Sequence, residues 1–462
     1  MASAVALALV DSDVPLASAI GQEVLSCAVD HAAVVGVLAS VPRRKPMMET
    51  SDGVVALDGV DGEWDVSSFD FMHPQMRIDP YPTFKVMRER APIHWDGMAH
   101  WMFRYEDARA VLLGDQFGRV ASAFQRQYFD TLGAGQPYEY VIRRMTYLDQ
   151  IDHTRVRGLF ASTFTPRRIE GLRPYIIDMV NGLLDRIDPT QPFDILDAVA
   201  HPLPSLVICE MLGVPQADRE LFDGWTQRIA HLVSPAITEA QYADAAAALA
   251  GEWELMEQLV IDRSADLGDD LLSDLITASR GEATAISHEE LVSNCIFLFS
   301  AGHQTTRDTV GNGLFAMLRD RGQYASLAAD PVALAPVATE EALRFDAPVV
   351  QSWEVALSDT EVGGVTIREG EAVFPLLGAC NHDPKRFDEP DRFRIDRPNN
   401  VPVTFSLGPH HCMGSALARM EVSILLQAIA ERYPTLELVS DQLEWRDTVV
   451  FRGPVRLDVT AG

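Results

Sequence analysis

The sequence is poor in cysteine. Cys27, Cys209, Cys295, Cys380 and Cys412 are its five, scattered with no Cys-x-x-Cys pairing. That spacing argues against a disulfide framework and for a reducing cytoplasm. Long apolar runs are missing too: none reaches the roughly 18 residues that a membrane span needs. Positive charge is scarce, with 38 Lys and Arg against 67 Asp and Glu, a net charge of −29. So acidic a chain is a poor general partner for nucleic acid or an anionic membrane. The opening MASAVALALVDSDVPLAS has a short apolar stretch, but no basic residue precedes it, and Asp11 and Asp13 follow. It reads as neither signal peptide nor anchor.

What the chain does have is core-forming material. Hydrophobic residues make up 47% of its 462 positions, a length that suits two or three ordinary domains or one large one. Residues 1–62 stand apart. They are Ala/Val-rich, broken by PRRKP at 42–46, and run into Gly/Asp-rich sequence. They read as a poorly ordered extension, with a true start at Met47 or Met48 as the alternative. From 63 to 462 no linker or repeat appears, and a single domain is expected.

Helical periodicity dominates that domain. The longest pattern covers 287–322, with Ser287 and Glu290 at capping-box spacing and Gly322 as the expected end. Residues 353–377 alternate and carry the turn cues SD, GG and EG, so short strands are predicted there, and again in the tail WRDTVVFRGPVRLDV. The expected fold class is mainly α with small β-sheets.

Near the C-terminus, FSLGPHHCMGSALARMEV places Cys412 among glycines just before a helical pattern that runs through Leu417, Glu421, Ile424 and Ala428. A helix start favours a thiolate, which is a nucleophile or a metal ligand. Other readings of a lone cysteine are a buried core residue, a nucleophile served by His410 or His411, or a zinc ligand. The last is opposed by the crowding of His-His-Cys, too close for a tetrahedron.

The segment matches F-x-x-G-x-H-x-C-x-G-x-x-L-A-R at Phe405, Gly408, His410, Cys412, Gly414, Leu417, Ala418 and Arg419. It strongly resembles the heme-thiolate loop of cytochrome P-450 monooxygenases of the soluble bacterial type. The resemblance covers roughly residues 70–460 and implies a single triangular heme-thiolate fold. It implies heme b with Cys412 as its axial iron ligand, a thiolate that favours O–O cleavage. The activity implied is insertion of one oxygen atom from O2 into an organic substrate. An acidic ferredoxin and its reductase would supply the electrons, in the cytoplasm. A peroxide-driven peroxygenase and a non-catalytic heme-binding protein are the alternatives.

The same resemblance assigns further residues. Glu341 and Arg344 in EEALRFDAPV, with Arg392 in EPDRFRID, match the family's structural ion network. His153 and Arg157 in HTRVR, together with His410, match its propionate contacts. Phe405 and Gly414 frame the cofactor. Ala301, Gly302, His303, Gln304, Thr305 and Thr306 match the oxygen-binding motif, with Thr305 expected to organise proton delivery. Leu298, Gly302, Thr305 and Thr309 form one stripe, and Gly302 is read as opening a groove for dioxygen.

Two positions depart from the family. Gln304 stands where an acid is usual, and an amide does not readily relay a proton. His303 and Asp308 are conceivable substitutes, His303 more simply a packing residue. Glu354 stands where an arginine usually meets a propionate; it turns to solvent, is protonated, or faces the pocket. The expected pocket walls are apolar: Phe124, Tyr128, Phe129, Leu298, Val349, Val350 and Trp353, with Gln351. Residues 141–168 carry Arg143, Arg144, Arg155, Arg157, Arg167 and Arg168 against Asp149 and Asp152 only, and 404–419 adds Arg419. In an acidic chain this reads as a docking face for an acidic redox partner.

Overall fold

The computed structural model describes residues 65–119, 140–233, 237–281 and 286–462. The expectations for residues 1–62, and for Phe124, Tyr128 and Phe129, lie outside the described residues. Eight helices position the site: α1 (Tyr105–Leu113), α2 (Gln150–Thr163), α3 (Pro202–Met211), α4 (Arg219–Ile229), α5 (Glu239–Ala265), α6 (His288–Arg319), α7 (Pro331–Phe345) and α8 (Ser415–Arg432). Among the described residues no helix is long and apolar enough to cross a membrane.

The predicted long helix is α6, 32 residues and so about 48 Å long. Its start is the reciprocal cap that the spacing suggested. Glu290 N–H donates to the Ser287 hydroxyl, and Ser287 N–H donates to the Glu290 carboxylate. Its end differs from the expectation. The chain leaves helical geometry at Asp320 and re-enters a helix at Arg321–Ala329, so Gly322 lies inside the next helix and ends nothing.

Apolar side chains of α6 (Val292, Ile296, Phe299, Val310, Leu314) join the main core cluster. Phe299 stacks on Phe222 of α4 with ring centres 4.6 Å apart. Two glycines let neighbours in. A Cβ on Gly313 would stand 2.6 Å from Ala342 Cβ of α7, and one on Gly302 would stand 2.7 Å from Ile208 Cδ1 of α3. The cost of about 1 kcal/mol for a mid-helix glycine is offset here by close helix packing. On the α3 side Gly302 thus leaves room for the end of the Ile208 side chain.

Three small sheets complete the fold. The largest has the order β1 (Ile93–Trp95), β2 (Ala99–Met102), β8 (Ala372–Pro375), β5 (Glu354–Ala356), β3 (Phe117–Gly118), with β2 and β8 parallel and the other pairs antiparallel. Strands β6 (Thr360–Val362) and β7 (Val365–Ile367) form a hairpin, and β4 (Phe193–Asp194), β10 (Asp458–Thr460) and β9 (Glu437–Leu438) a third sheet. The strands predicted over 353–377 are β5 to β8. The strand expected through the tail shrinks to isolated bridges, Trp445 with Pro454 and Val349 with Phe451, followed by β10. Pro454 has no N–H to extend a ladder.

A buried ion network ties α7 to the segment ahead of the cysteine loop. Glu341 and Arg344 are fully buried and bonded at 2.8 and 2.9 Å. The third member is Arg397, whose Nε donates to both Glu341 oxygens at 2.9 and 3.1 Å. This corrects the assignment of Arg392: its side chain is 63% exposed and pairs with Glu389, and only its carbonyl meets the network. Arg397 sits five residues further on, where the chain folds back under α7. Arg344 also donates to the Asn381 carbonyl at 2.8 Å, and the Asn381 side chain holds Val403 N–H and the Thr404 hydroxyl. Residues 403–404 lead directly into the cysteine loop.

Candidate functional site

The loop from Phe405 to Gly414 is built by a tight turn and a few fixed contacts. Gly408 has φ +68°, and a Cβ there would stand 2.3 Å from the Leu112 carbonyl oxygen at the end of α1. Only glycine fits. Cys412 N–H donates to the Phe405 carbonyl at 2.8 Å, and the Arg419 guanidinium lies over the Phe405 ring at 4.5 Å. Helix α8 begins at Ser415 with Gly414 as its cap. A Cβ on Gly414 would meet nothing within 4 Å, so the loop borders open space.

Cys412 differs from its fellows. Cys209, Cys295 and Cys380 are fully buried, whereas Cys412 keeps partial access. Burial pushes its thiol above the usual range, against the opposing Gly414 N–H, Arg157 and Arg419. Burial thus works against the thiolate that the helix start favours. A bound metal ion would restore it, since coordination deprotonates a thiol outright.

Beside the loop lies a polar cluster of two histidines and an arginine, with His153 buried and His410 and Arg157 partly so. His153 of α2 and His410 face each other with ring centres 4.2 Å apart. His153 Nε2 has no hydrogen-bond partner. Burial, then His410 and Arg157, push His153 down to about 4. Burial lowers His410 as well, with Asp149 opposing at 3.9 Å. Arg157, one turn along α2, donates through Nη2 to the His411 carbonyl at 2.5 Å and so braces the loop.

A residue missed by sequence reasoning completes the cluster. Arg119 follows β3, whose register sets Gly118 opposite Val355 and so carries Arg119 to Glu354. Its Nη2 donates to Glu354 Oε1 at 3.2 Å and to the Ser352 hydroxyl at 3.0 Å. Burial raises the Glu354 carboxyl, and Arg119 opposes the rise. Glu354 is buried, which removes the solvent-facing option among the expected alternatives. An isolated strand of the sequence carried no signal for this pair.

Helix α6 is mostly buried. Leu298, Ala301, Gly302 and Thr305 keep partial access while His303, Gln304 and residues 306–314 are buried. These four positions share one helix face, a stripe that suits a cavity wall, although Phe297, Ser300, Phe315 and Ala316 keep partial access as well. The Thr305 hydroxyl donates to the Ala301 carbonyl at 2.7 Å. Thr309, expected on the same stripe, is buried, and its hydroxyl donates to Thr305 O at 2.8 Å.

Gln304 is placed off that stripe. Its amide donates to Asp308 Oδ2 at 2.8 Å, and Asp308 is held in turn by Arg307 at 2.7 Å and Arg446 at 3.3 Å. Gln304 thus turns toward Asp308 and away from the Thr305 face, as successive helical residues point about 100° apart. Burial raises the Asp308 carboxyl, with both arginines opposing. His303 is fully buried, its Nε2 donating to the His201 carbonyl at 3.0 Å and lying 3.4 Å from Asp223. That arrangement joins α6 to α4 and the start of α3, in keeping with a packing role.

The other expected contacts divide. Trp353 lies 5.0 Å from the Arg119 guanidinium and 6.0 Å from the Tyr147 ring. Val350 belongs instead to a separate apolar cluster with Phe84, Phe103 and Leu376, which makes it core rather than cavity wall. Val349 bridges Phe451, and Gln351 keeps a buried Oε1 with no partner. Much of the expected basic face is internally paired: Arg155 with Glu290 at 2.7 Å, Arg168 with Asp274, and Arg419 with Glu340 at 2.5 Å. Arg144 is buried against Phe297.

Known proteins resemble this chain in sequence and fold. The family model described as Cytochrome P450 matches residues 333–451. Cytochrome P450 107B1 of Saccharopolyspora erythraea is 36% identical over 409 residues, covering 86% of this chain and 98% of the relative. The 6-deoxyerythronolide B hydroxylase of the same organism is 34% identical over 404 residues, covering 84% and 98%. The crystal structure of CalO2 superposes with a TM-score of 0.80 at 30% identity, covering 86% of this chain and 99% of the other.

Proposed function

The chain belongs to the cytochrome P450 family and is a heme-dependent oxidoreductase, and from that premise we propose that it inserts one oxygen atom from O2 into an apolar organic substrate. The group it would hold is heme b, and the electrons would come from an acidic ferredoxin and its reductase. The observation that carries this reading is Cys412: alone among the described cysteines it keeps partial access, with the Gly414 N–H and the positive charges of Arg157 and Arg419 acting on its sulfur.

The residues present fit a heme. Cys412 would ligate the iron from one side. His153, with its unpartnered Nε2, and His410 would take the carboxylates, while Arg157 adds positive charge and braces the loop. The accessible stripe Leu298, Ala301, Gly302, Thr305 would cover the other face. The heme, when bound, supplies dioxygen binding and electron storage.

This chain's own residues then do the rest. The Gly414 N–H holds charge on the sulfur and tunes it. Thr305 commits its hydroxyl proton to the Ala301 carbonyl, which turns its lone pairs toward the open side. There it can accept a hydrogen bond from water and hold that water in line for proton delivery. Gln304 acts at one remove, by anchoring Asp308 under the helix. The apolar Leu298 excludes water and favours an apolar ligand.

The test is turnover by purified protein with a surrogate ferredoxin and reductase under labelled O2, on a compound first selected by its shift of the ferric absorption spectrum. Label in the product, dependent on reductant, supports the monooxygenase reading. Turnover with hydrogen peroxide alone would favour a peroxygenase. A spectral shift without any turnover would favour a binding protein. For the partner, a reduction rate that falls with salt is expected; a rate indifferent to salt would remove the acidic ferredoxin.

A further inference from the structure

Glu354 brings a negative charge to a place where a cofactor with two carboxylates needs positive charge. The sheet register supplies the answer: antiparallel pairing of β3 with β5 lays Arg119 against Glu354. Arg119 is 8% exposed. Its donors are only partly used. Nη2 serves Glu354 and Ser352, Nη1 reaches the Thr146 carbonyl at a long 3.4 Å, and Nε has no partner. The guanidinium carbon lies 5.0 Å from the Trp353 ring centre, and that ring restricts the space around it. Asp149 joins Arg119 to the histidines in space: a Cβ on Gly118, next to Arg119, would stand 2.8 Å from Asp149 Oδ2, Asp149 Oδ1 lies 3.9 Å from His410 Nε2, and the His410 ring faces His153 at 4.2 Å. Asp149 Oδ2 is unpartnered.

We propose that Arg119 is a carboxylate-binding residue for the heme, supplying from β3 the positive charge that position 354 does not, and that Glu354 is its positioning residue. The inference rests on the heme-thiolate reading above. A buried guanidinium with a free N–H beside an unpartnered histidine nitrogen is a fork that a carboxylate would satisfy. Glu354, Ser352 and Trp353 hold that fork in one orientation.

The experiment is heme transfer from the holoprotein to excess apomyoglobin, with the ferric/ferrous potential as a second readout. Arg119→Gln is expected to release heme at least tenfold faster than the native chain. Glu354→Gln is expected to change the rate severalfold less, because Ser352 and Trp353 still hold the guanidinium. The exchange Arg119→Glu with Glu354→Arg restores slow release. Native release from Arg119→Gln would overturn the proposal. So would Glu354→Gln releasing heme faster than Arg119→Gln, since a positioning residue cannot matter more than the residue it positions. If Arg119→Gln does not fold, the double variant Arg119→Gln with Glu354→Gln removes both buried charges together, and the same tenfold acceleration is expected of it, native release again overturning the assignment. A native holoprotein lacking a thiolate-type spectrum in its reduced, CO-bound form would overturn the heme-thiolate reading itself, and Arg119 with it.

Discussion

Two buried clusters of charge lie on either side of the cysteine loop's approach, and they are wired differently. In the network of Glu341, Arg344 and Arg397, Glu341 takes bonds from both arginines, the Arg394 N–H and Asn400, and Arg344 spends its remaining donors on carbonyls of Asn381, Pro390 and Arg392. Near His153 and Arg119, by contrast, polar atoms remain unpaired: His153 Nε2, Arg119 Nε and Asp149 Oδ2. In the first network only Asn400 Oδ1 lacks a partner, and its charged groups are satisfied without a ligand. An open one at the same depth carries a cost that a ligand would relieve. Both are rich in arginine; only the state of the donors separates scaffold from site.

Removing one member of the closed network gives the largest effect. Arg344→Ala takes from the buried Glu341 one of its two arginines and leaves the Asn381 carbonyl without its donor, so a loss of about 3–5 kcal/mol is expected. Urea unfolding and heme content would check it; soluble, heme-replete protein of native stability would break the comparison.

Glu421 extends it to a buried acid with no cation. It sits on α8, its Oε1 has no partner, and burial pushes it up to about 8, with the Thr306 hydroxyl opposing. A carboxyl raised in the fold binds its proton more tightly folded than unfolded. Its contribution is thus fully present below about pH 4.5 and is lost as pH rises through about 8. Glu421→Gln should remove up to one proton of slope, about 1.4 kcal/mol per pH unit between those limits. Parallel unfolding curves for the two proteins across that window would count against a neutral Glu421.

His153→Leu tests the open cluster from the other side. It removes an unsatisfied buried nitrogen, so the apoprotein should hold its stability or gain about 1 kcal/mol, while heme retention falls. A destabilised apoprotein that keeps its heme would invert the assignment. Smallest of all is Arg392→Ala. Its side chain is exposed and bridges only Glu389, and a change within about 0.5 kcal/mol is expected by thermal or urea unfolding.

Several of these roles were legible in sequence because they depend on near neighbours. The capping box of α6 involves residues three apart, and the glycine turn at Gly408 sits four residues from Cys412. Arg397 was missed in favour of Arg392 because both follow the same acidic stretch, and nothing local tells which one turns inward. Gln304 and Asp308 are one helical turn apart, so their pairing could be seen. Their retreat from the Thr305 face depends on Arg446, 138 residues from Asp308. Arg119 and Glu354 are separated by 235 positions.

By itself, then, the sequence determined the cysteine loop, the helical framework and the family of its chemistry, because each is written in spacings of a few residues that backbone geometry converts directly into shape. Only the tertiary structure decided which arginine closes the scaffold, which acid is left without a counter-ion, and that Glu354 is answered by Arg119. Those outcomes follow from strand register and burial, which bring distant charges out of water together and leave each either paired or waiting for a partner.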